Sequence, residues 1–269
     1  MFPLAGKKFP TSVEELRGAI TDALTDVFAL PGNGSAVTIS GGALPSIKTV
    51  RIDLDDAAVT ANKPPPKPIG TGKRSPGPLV DKLELSGQPI KYEQAKLNLK
   101  LSAAGLKFDF DRDKRGNPLL VLTDARSGKV DARISKDDLE HLLTEAVTAA
   151  AKQEGVTVQE VDLELKSGGK RSVEADVRVK AKKMLLTGVV YVTGRLDIDD
   201  ELNATVSNLN VEGEGVIGKT AAAFLKSKVK EYDGTTVPLM TFSLGDLTLR
   251  DLKIDLKKDL HVTAAFGSA

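Results

Sequence analysis

A broken alternation of apolar and polar residues recurs along this chain, and it constrains the fold more than any other feature. IKTVRIDL (47–54), VQEVDLEL (158–165) and LRDLKIDL (249–256) each place two polar residues after the first apolar one and then alternate strictly. Strict alternation predicts a strand with one dry face. The phase slips, at 48–49, 159–160 and 250–251, predict β-bulges that keep both flanks facing inward. Shorter copies at 80–85 and 206–211 predict further bulges, so a curled sheet is expected.

Three segments have a helical period instead, namely 12–28, 135–152 and 216–231, and each precedes one full copy of the broken alternation. Ser12 with Glu15 predicts a capping box, and Ser135 predicts a second N-cap. Most of the remaining chain alternates with period two, which is typical of antiparallel strands. The predicted fold is α+β, with a long, curled, mostly antiparallel β-sheet whose bulged strands wrap two to three amphipathic helices. We expect a single elongated domain over residues 1–269.

The segment NKPPPKPIGTGKRSPGP (62–78) departs from this pattern because it is rich in proline and basic residues. Proline has no N–H to donate and is excluded from central strands. The sequence therefore predicts a flexible Pro/Lys-rich loop over 62–78.

Composition excludes several function classes. The net charge is +1, without the excess of Lys and Arg that nucleic-acid binding favours, so no nucleic-acid partner is expected. The chain has no cysteine, which excludes disulfides, thiolate metal sites and cysteine nucleophiles. It has no apolar run long enough to span a bilayer, and MFPLAGKKFP is not a signal peptide as it stands. Either the protein is cytoplasmic or a leader has already been removed.

Two acidic stretches resemble metal sites in part. DFDRDKRGNP spaces Asp109, Asp111 and Asp113 as in a calcium loop, but Leu120 stands where a bidentate Glu is required. A strand followed by a hairpin turn explains this stretch better. LDIDDE (196–201) is similarly explained by a solvated strand face and a turn. We therefore expect no metal and no cofactor.

Catalytic residues cannot be assigned from the sequence. The only histidines are His141, beside the apolar stripe of the second helix, and His261, on the polar side of the last strand. No nucleophile elbow accompanies them. GEGVIGK, with Lys219, could present backbone N–H groups to a phosphate, although a strand-to-helix turn explains its glycines equally simply.

A curled sheet of this composition has an aliphatic concave face. If the helices leave part of this face uncovered, the gap is a groove suited to acyl chains, and if they fill it, the face is an ordinary core. Sequence leaves both alternatives open. The candidate lining residues are Val50, Ile52, Leu54, Val161, Leu163, Leu165, Leu252, Ile254 and Leu256.

Basic residues on the third helix and on the proline-rich loop are candidates for contact with lipid headgroups or a membrane surface. The alternative is that these residues are merely solvated. The candidates are Lys63, Lys67, Lys73, Arg74, Lys219, Lys226, Lys228 and Lys230.

The stretch from GKVDARISKDDLEHLLTEAV through VTVQEVDLELKS, VEADVRVKA and VTGRLDIDDELNATVSNLNVEGEGV to VPLMTFSLGDLTLRDLKIDL resembles the LmeA-like phospholipid-binding family, over about residues 36–266. The resemblance lies in the order of helix, strand, hairpin, helix and closing strand. It implies a tubular, TULIP-like lipid-binding architecture and a cell-envelope or periplasmic location. The loop over 62–78 and the missing leader depart from the family pattern.

The predicted function is binding or transfer of phospholipid, or of another acyl-chain ligand, with a peripheral membrane surface as a possible partner. The resemblance also implies an alternative, a phospholipase-like hydrolase, for which no catalytic residue carries over. A third reading is a non-catalytic structural or adaptor domain with a filled core.

Overall fold

The computed structural model describes residues 1–31, 36–60, 68–153, 155–184, 186–199, 203–238 and 249–268. The fold is α+β and its strands are mostly antiparallel. The helices in this part of the chain are α1 (Val13–Thr25), α2 (Lys136–Gln153) and α3 (Gly215–Lys230). The bounds of α2 and α3 lie within one residue of those that their sequence period predicts, and α1 ends three residues before the predicted 28.

The strands belong to two sheets. Those of the first sheet are β1 (Phe2–Pro3), β2 (Phe28–Ala29), β3 (Val37–Ala43), β4 (Ser46–Asp53), β5 (Ala58–Val59), β6 (Ser75–Tyr92), β7 (Ala95–Arg112), β8 (Pro118–Ser135), β14 (Leu249–Asp255) and β15 (Asp259–Phe266). Those of the second sheet are β9 (Thr157–Gly169), β10 (Ser172–Lys183), β11 (Leu186–Ile198), β12 (Asn203–Glu214) and β13 (Thr236–Pro238). The main path of the first sheet runs β14-β15-β8-β7-β6-β4-β3, and the second runs β13-β12-β11-β10-β9.

The chain divides into two compact units, where the sequence led us to expect one domain. The first unit comprises residues 1–133, 240–252 and 262–269, and the second comprises 134–239 and 253–261. The alternation of apolar residues predicts strands one at a time and does not say which strands share a sheet. It could therefore not separate the two units.

Helix α1 fills the core of the first unit. Ser12 caps it, since the Glu15 N–H donates to Ser12 Oγ at 3.1 Å. Its buried stripe of Leu16, Ile20 and Leu24 belongs to one apolar cluster with residues of β3, β4, β6, β7 and β8. Leucine and isoleucine side chains at this spacing form the wide apolar face that a helix needs to cover a sheet.

The predicted phase slip of β4 is confirmed by burial, because Ile47 and Val50 are both buried. The prediction of a β-bulge in β4 is wrong, however. The register of β4 with β3 and with β6 is the same before and after the phase slip. Instead, β4 and each of its neighbours have one residue at this position that is left out of the sequence of paired residues. The skipped row runs across four strands through Gly41, Lys48, Asp81 and Gly105.

The bulges predicted in the second sheet are confirmed. The β9–β10 register shifts at Gln159, and one residue of β11, Gly194, faces both Asn208 and Leu209 of β12. Asn208 has a φ of 55°, a left-handed conformation that asparagine tolerates better than most residues. The slip predicted in β14 coincides with Asp251, whose φ is 49°.

The predicted loop over 62–78 is too long at its C-terminal end. Strand β6 begins at Ser75 and includes Pro76 and Pro78. The β6–β7 register shifts between Pro76 and Leu79, which is the irregular position where a sheet accepts proline. Residues 61–67, which contain three of the loop's six prolines, lie outside the described residues.

A buried carboxylate holds the segment that leads into β6. Asp111 is 1% exposed and accepts hydrogen bonds from Thr71 Oγ1 at 2.9 Å, Gly72 N at 3.0 Å and Arg112 N at 2.7 Å. Burial alone would raise the pKa of Asp111, but these hydrogen bonds outweigh it and hold the pKa below its usual value. A Cβ on Gly70 would lie 2.2 Å from Asp111 Oδ2, so the segment can approach this closely only as glycine.

Candidate functional site on the second sheet

The apolar residues of the second sheet line up in rows across its strands. Residues directly opposite each other in neighbouring strands point to the same face. One row contains Leu163, Val177, Val192 and Val211, and the next contains Val161, Val179 and Val190. Leu165 is paired with Ala175 one row further along. These rows form one continuous apolar face, built almost entirely from valine and leucine.

Helix α3 covers the part of this face that β11 and β12 provide. Val190, Val211 and Ala222 are buried together, with Leu225 and Val229 packed against them. The helix carries alanine and glycine where it meets the sheet, so it lies very close to the strands.

Three glycines make this close approach possible. A Cβ on Gly218 would lie 2.3 Å from Val189 O, and one on Gly213 would lie 2.1 Å from Gly218 O. A Cβ on Gly188 would lie 2.2 Å from Gly218 N. The glycines of the GEGVIGK stretch are therefore explained by helix–sheet packing, which favours the strand-to-helix turn over a phosphate loop.

The part of the face that β9 and β10 provide is less completely covered. Val161 and Leu163 are buried, but Leu165, Val177 and Val179 are only partly buried. Helix α2 contacts β9. None of the α2 side chains that the structure describes is buried. The apolar stripe of α2 includes four side chains that are partly exposed, namely Leu139, Leu142, Leu143 and Val147. The second unit thus presents aliphatic surface on a helix and on the sheet that the helix contacts.

The opposite face of the same strands is charged, and its charges are paired. Arg178 Nη1 lies 2.6 Å from an oxygen of Asp162 and 3.2 Å from one of Glu160. Hydrogen bonds to these carboxylates, Asp162 first, raise the pKa of Arg178 further above its ordinary value. Lys166 Nζ lies 2.8 Å from Asp176, which raises the pKa of that lysine. These groups neutralise one another.

A cavity of about 430 Å³ lies between this charged face and the start of α2. It is lined by Lys136, Glu140, Asp162, Leu163, Glu164, Asp176, Val177, Arg178, Tyr191 and Thr193. The Leu163 N–H donates to Glu140 Oε2 at 3.4 Å, so this carboxylate meets the outer edge of β9, the last strand of the sheet. The Arg178, Asp162 and Asp176 side chains that line the cavity already have ion-pair partners. A structural role therefore suits the cavity better than the binding of an anion.

Of the nine predicted groove residues, the structure brings together Val161, Leu163 and Leu165 on the apolar face of β9. Val50 and Leu54 are buried in the core of the first unit, with Ile52 packed against it.

The remaining three groove candidates are divided between the units. Leu252 is buried in the first unit, whereas Ile254 and Leu256 are partly exposed in the second. The nine residues therefore do not line one surface of one unit.

The basic candidates divide in the same way. Lys219, Lys226 and Lys230 are exposed on α3, and Lys73 and Arg74 are exposed in the first unit. Lys63 and Lys67 lie outside the described residues, and Lys228 belongs to α3 but its side chain is not among those described.

The two acidic stretches have structural roles. Asp113 accepts hydrogen bonds from Arg115 N and Asn117 N, both at 2.8 Å, and closes the turn after β7. Arg195 Nε lies 2.8 Å from Asp197 and holds the pKa of that carboxyl below its usual value. Within the described ranges, no group of His, Asp and Glu side chains could hold a metal ion.

The two histidines lie in the second unit, with His141 exposed on α2 and His261 partly buried on β15. In the part of the chain that the structure describes, no helix is long and apolar enough to cross a membrane.

Comparison with known proteins gives no relative. No family model, no curated protein and no solved structure matches this chain. The resemblance to the LmeA-like family therefore stays a prediction, and the function must be argued from the second unit itself.

Proposed function

We propose that the protein binds a lipid acyl chain on the apolar face of β9 and β10 beside α2. One observation carries the proposal: α2 and the two strands present partly exposed leucines and valines within a unit whose other helix is well packed. An amphipathic helix normally buries its apolar stripe. Where such a stripe and the apolar face of a neighbouring strand are incompletely covered, a long aliphatic ligand can complete the packing.

The magnitude of the hydrophobic effect is sufficient for this role. Each buried methylene contributes ~0.8 kcal/mol, so about eight methylenes would contribute roughly 6 kcal/mol before the loss of translational freedom is subtracted. Affinity would then come from the chain, and no conserved polar motif would be needed. This is consistent with a sequence that carries no catalytic signature.

Exposed lysines of the same unit favour an anionic headgroup. Lys219, Lys226 and Lys230 lie on α3, and charge attraction to phosphate adds to the binding of the acyl chain. The ligand class is therefore a phospholipid or a fatty acid, and a location in the cell envelope is part of the same proposal.

The experiment is native mass spectrometry of the purified full chain, followed by organic extraction and binding of a soluble fluorescent fatty acid. The variant Val177→Thr/Val179→Thr keeps the shape of the strand but places two hydroxyl groups on the apolar face. We expect it to bind the probe about tenfold more weakly, because each hydroxyl loses water when the chain covers it. The matched control is Ile52→Thr in the first unit, which should bind like the wild type.

A wild-type protein that carries no lipid and takes up no fatty acid would overturn the proposal and favour a structural domain. Equal affinity in the Val177/Val179 variant would also overturn it, because the ligand would then bind elsewhere. Release of free fatty acid from phospholipid would instead identify a hydrolase.

A further inference from the structure

The hairpin that joins β10 to β11 has an unusual residue at its turn. The last pair of the hairpin is Lys183 with Leu186, which leaves a loop of only two residues. The first of these, Met184, has a φ of 56°. Two-residue hairpin loops with positive φ strongly favour asparagine, aspartate and glycine, since a bulky side chain is disfavoured there. A methionine at such a position points to a role for its side chain.

That side chain projects into solvent. Met184 is 88% exposed, and Leu186 beside it is 52% exposed. Val216, at the start of α3, is 67% exposed. The start of α3 lies against the same hairpin, because a Cβ on Gly215 would be 2.9 Å from Thr187 O. Three large apolar side chains therefore cluster at one end of the second unit.

Lysines surround this cluster. Lys182 and Lys183 precede the turn and are exposed, and Lys219 is exposed near the start of α3. The nearest acidic residue along the start of α3 is Glu214, which accepts a hydrogen bond from the Tyr191 hydroxyl at 3.5 Å. We define the hairpin tip as Lys182, Lys183, Met184, Leu186 and Val216.

We infer that the hairpin tip docks on the surface of an anionic lipid bilayer. Exposed apolar side chains that enter the boundary between headgroups and acyl chains, with basic residues at headgroup level, are the combination that holds a protein on such a surface. The backbone suits insertion as well. The strands remain paired up to Lys183 and Leu186, so few backbone N–H and C=O groups would enter the membrane without a partner.

This inference stands on the geometry of the hairpin and not on the acyl-chain proposal. A protein could dock through the tip without binding a lipid on the face of β9 and β10, and the reverse is equally possible. The two are tested with different ligands, a vesicle surface here and a soluble fatty acid above.

The experiment is co-sedimentation of the full chain with vesicles of phosphatidylcholine plus phosphatidylglycerol, and with vesicles of phosphatidylcholine alone. We expect binding to the anionic vesicles only, and weaker binding as salt is added. The variant Met184→Gly/Leu186→Ser should bind the anionic vesicles on the order of tenfold more weakly, since it loses two inserted apolar side chains. Lys182→Gln/Lys219→Gln should also bind more weakly and should depend less on salt.

Glycine is the residue best suited to the backbone at Met184, so Met184→Gly should fold at least as well as the wild type. The single variant Met184→Gly is therefore assayed beside the double variant, and a loss of binding in the single variant reports on the side chain and not on misfolding. The matched control is Ile69→Ser, which removes another exposed apolar side chain, 64% exposed, in the first unit and should bind normally.

Two outcomes would overturn the inference. The first is a wild-type protein that stays in the supernatant with anionic vesicles, which would leave a protein partner as the use of the tip. The second is a Met184→Gly/Leu186→Ser variant that sediments like the wild type.

Discussion

The two units use the same local structure, a bulged antiparallel sheet and amphipathic helices, but they cover their sheets differently. In the first unit, α1 buries Leu16, Ile20 and Leu24 within a large apolar cluster. In the second, α3 buries Ala222 among its described side chains, and α2 buries none. Of the phenylalanines that the structure describes, only Phe224 belongs to the second unit.

The difference follows from the size of the helical side chains. A helix that contacts a sheet through alanine and glycine lies close to the strands but covers a narrow strip. A helix that contacts it through leucine and isoleucine lies further away and covers a wider area. The small residues of α3 therefore leave part of the sheet only partly covered, and the lipid proposal rests on this part.

The largest expected difference between the units comes from truncating one leucine in each of them. Leu16→Ala should lower the free energy of unfolding of the first unit by about 3 kcal/mol, because Leu16 is 1% exposed and its removal leaves a cavity. Leu142→Ala on α2 should lower that of the second unit by roughly 1 kcal/mol or less, since Leu142 is already partly exposed. Hydrogen exchange measured by mass spectrometry reads the two units separately. Similar losses would mean that α2 packs as fully as α1.

A second test concerns how close α3 lies to its sheet. Gly218→Ala should destabilise the second unit by about 2 kcal/mol, because the added Cβ would meet Val189 O at 2.3 Å and push the helix away. The control is Gly18→Ala in α1, where a Cβ meets no atom within 4 Å. Alanine is the better helix former, so this change should stabilise the first unit by ~0.8 kcal/mol. If Gly218→Ala left the stability of the second unit unchanged, small residues would not be the reason why α3 covers only a narrow strip of the sheet.

The smallest expected effect is a difference between the two units in how their stability depends on pH. The pKa of Asp111 is lowered in the folded state, so its contribution to stability is present above the unfolded pKa, about 4, and is lost as pH falls towards the folded pKa. Asp111→Asn should therefore destabilise the first unit at neutral pH by roughly 1 kcal/mol and flatten the acid side of its stability curve. The second unit should show an unchanged curve. Urea unfolding between pH 2 and pH 7, read by hydrogen exchange, measures both. An acid slope that survives in the variant would assign the titration to other carboxyls.

Much of the local structure could be predicted from the sequence. Helical period and caps place α1, α2 and α3, and the phase slips locate the bulges at Gln159 and Asn208, because both are properties of consecutive residues. The start of β6 at Ser75 was missed, since proline forbids a regular ladder but is accepted at a bulge.

The candidate site could be predicted only in part. Leu163 and Leu165 belong to a recognisable strand pattern, but Val177 and Val179 become their neighbours only through the β9–β10 register. The short turn at 170–171 between two alternating runs is the signal that could have paired them. Incomplete coverage could not be predicted, because the pattern of α2 is that of a helix that buries its stripe. The turn at Met184 was missed for another reason, since its sequence contains none of the residues that usually mark a hairpin.

The row of four skipped residues, Gly41, Lys48, Asp81 and Gly105, also sets a rule for how the first sheet can change length. The pairing register is the same on both sides of that row. Deleting one of the four would slide its strand by one position and turn its side chains to the opposite face, whereas deleting all four would keep the β3–β4, β4–β6 and β6–β7 pairs intact. Variants of this chain that shorten these strands should therefore keep the registers among β3, β4, β6 and β7 only when all four strands lose the residue of this row together.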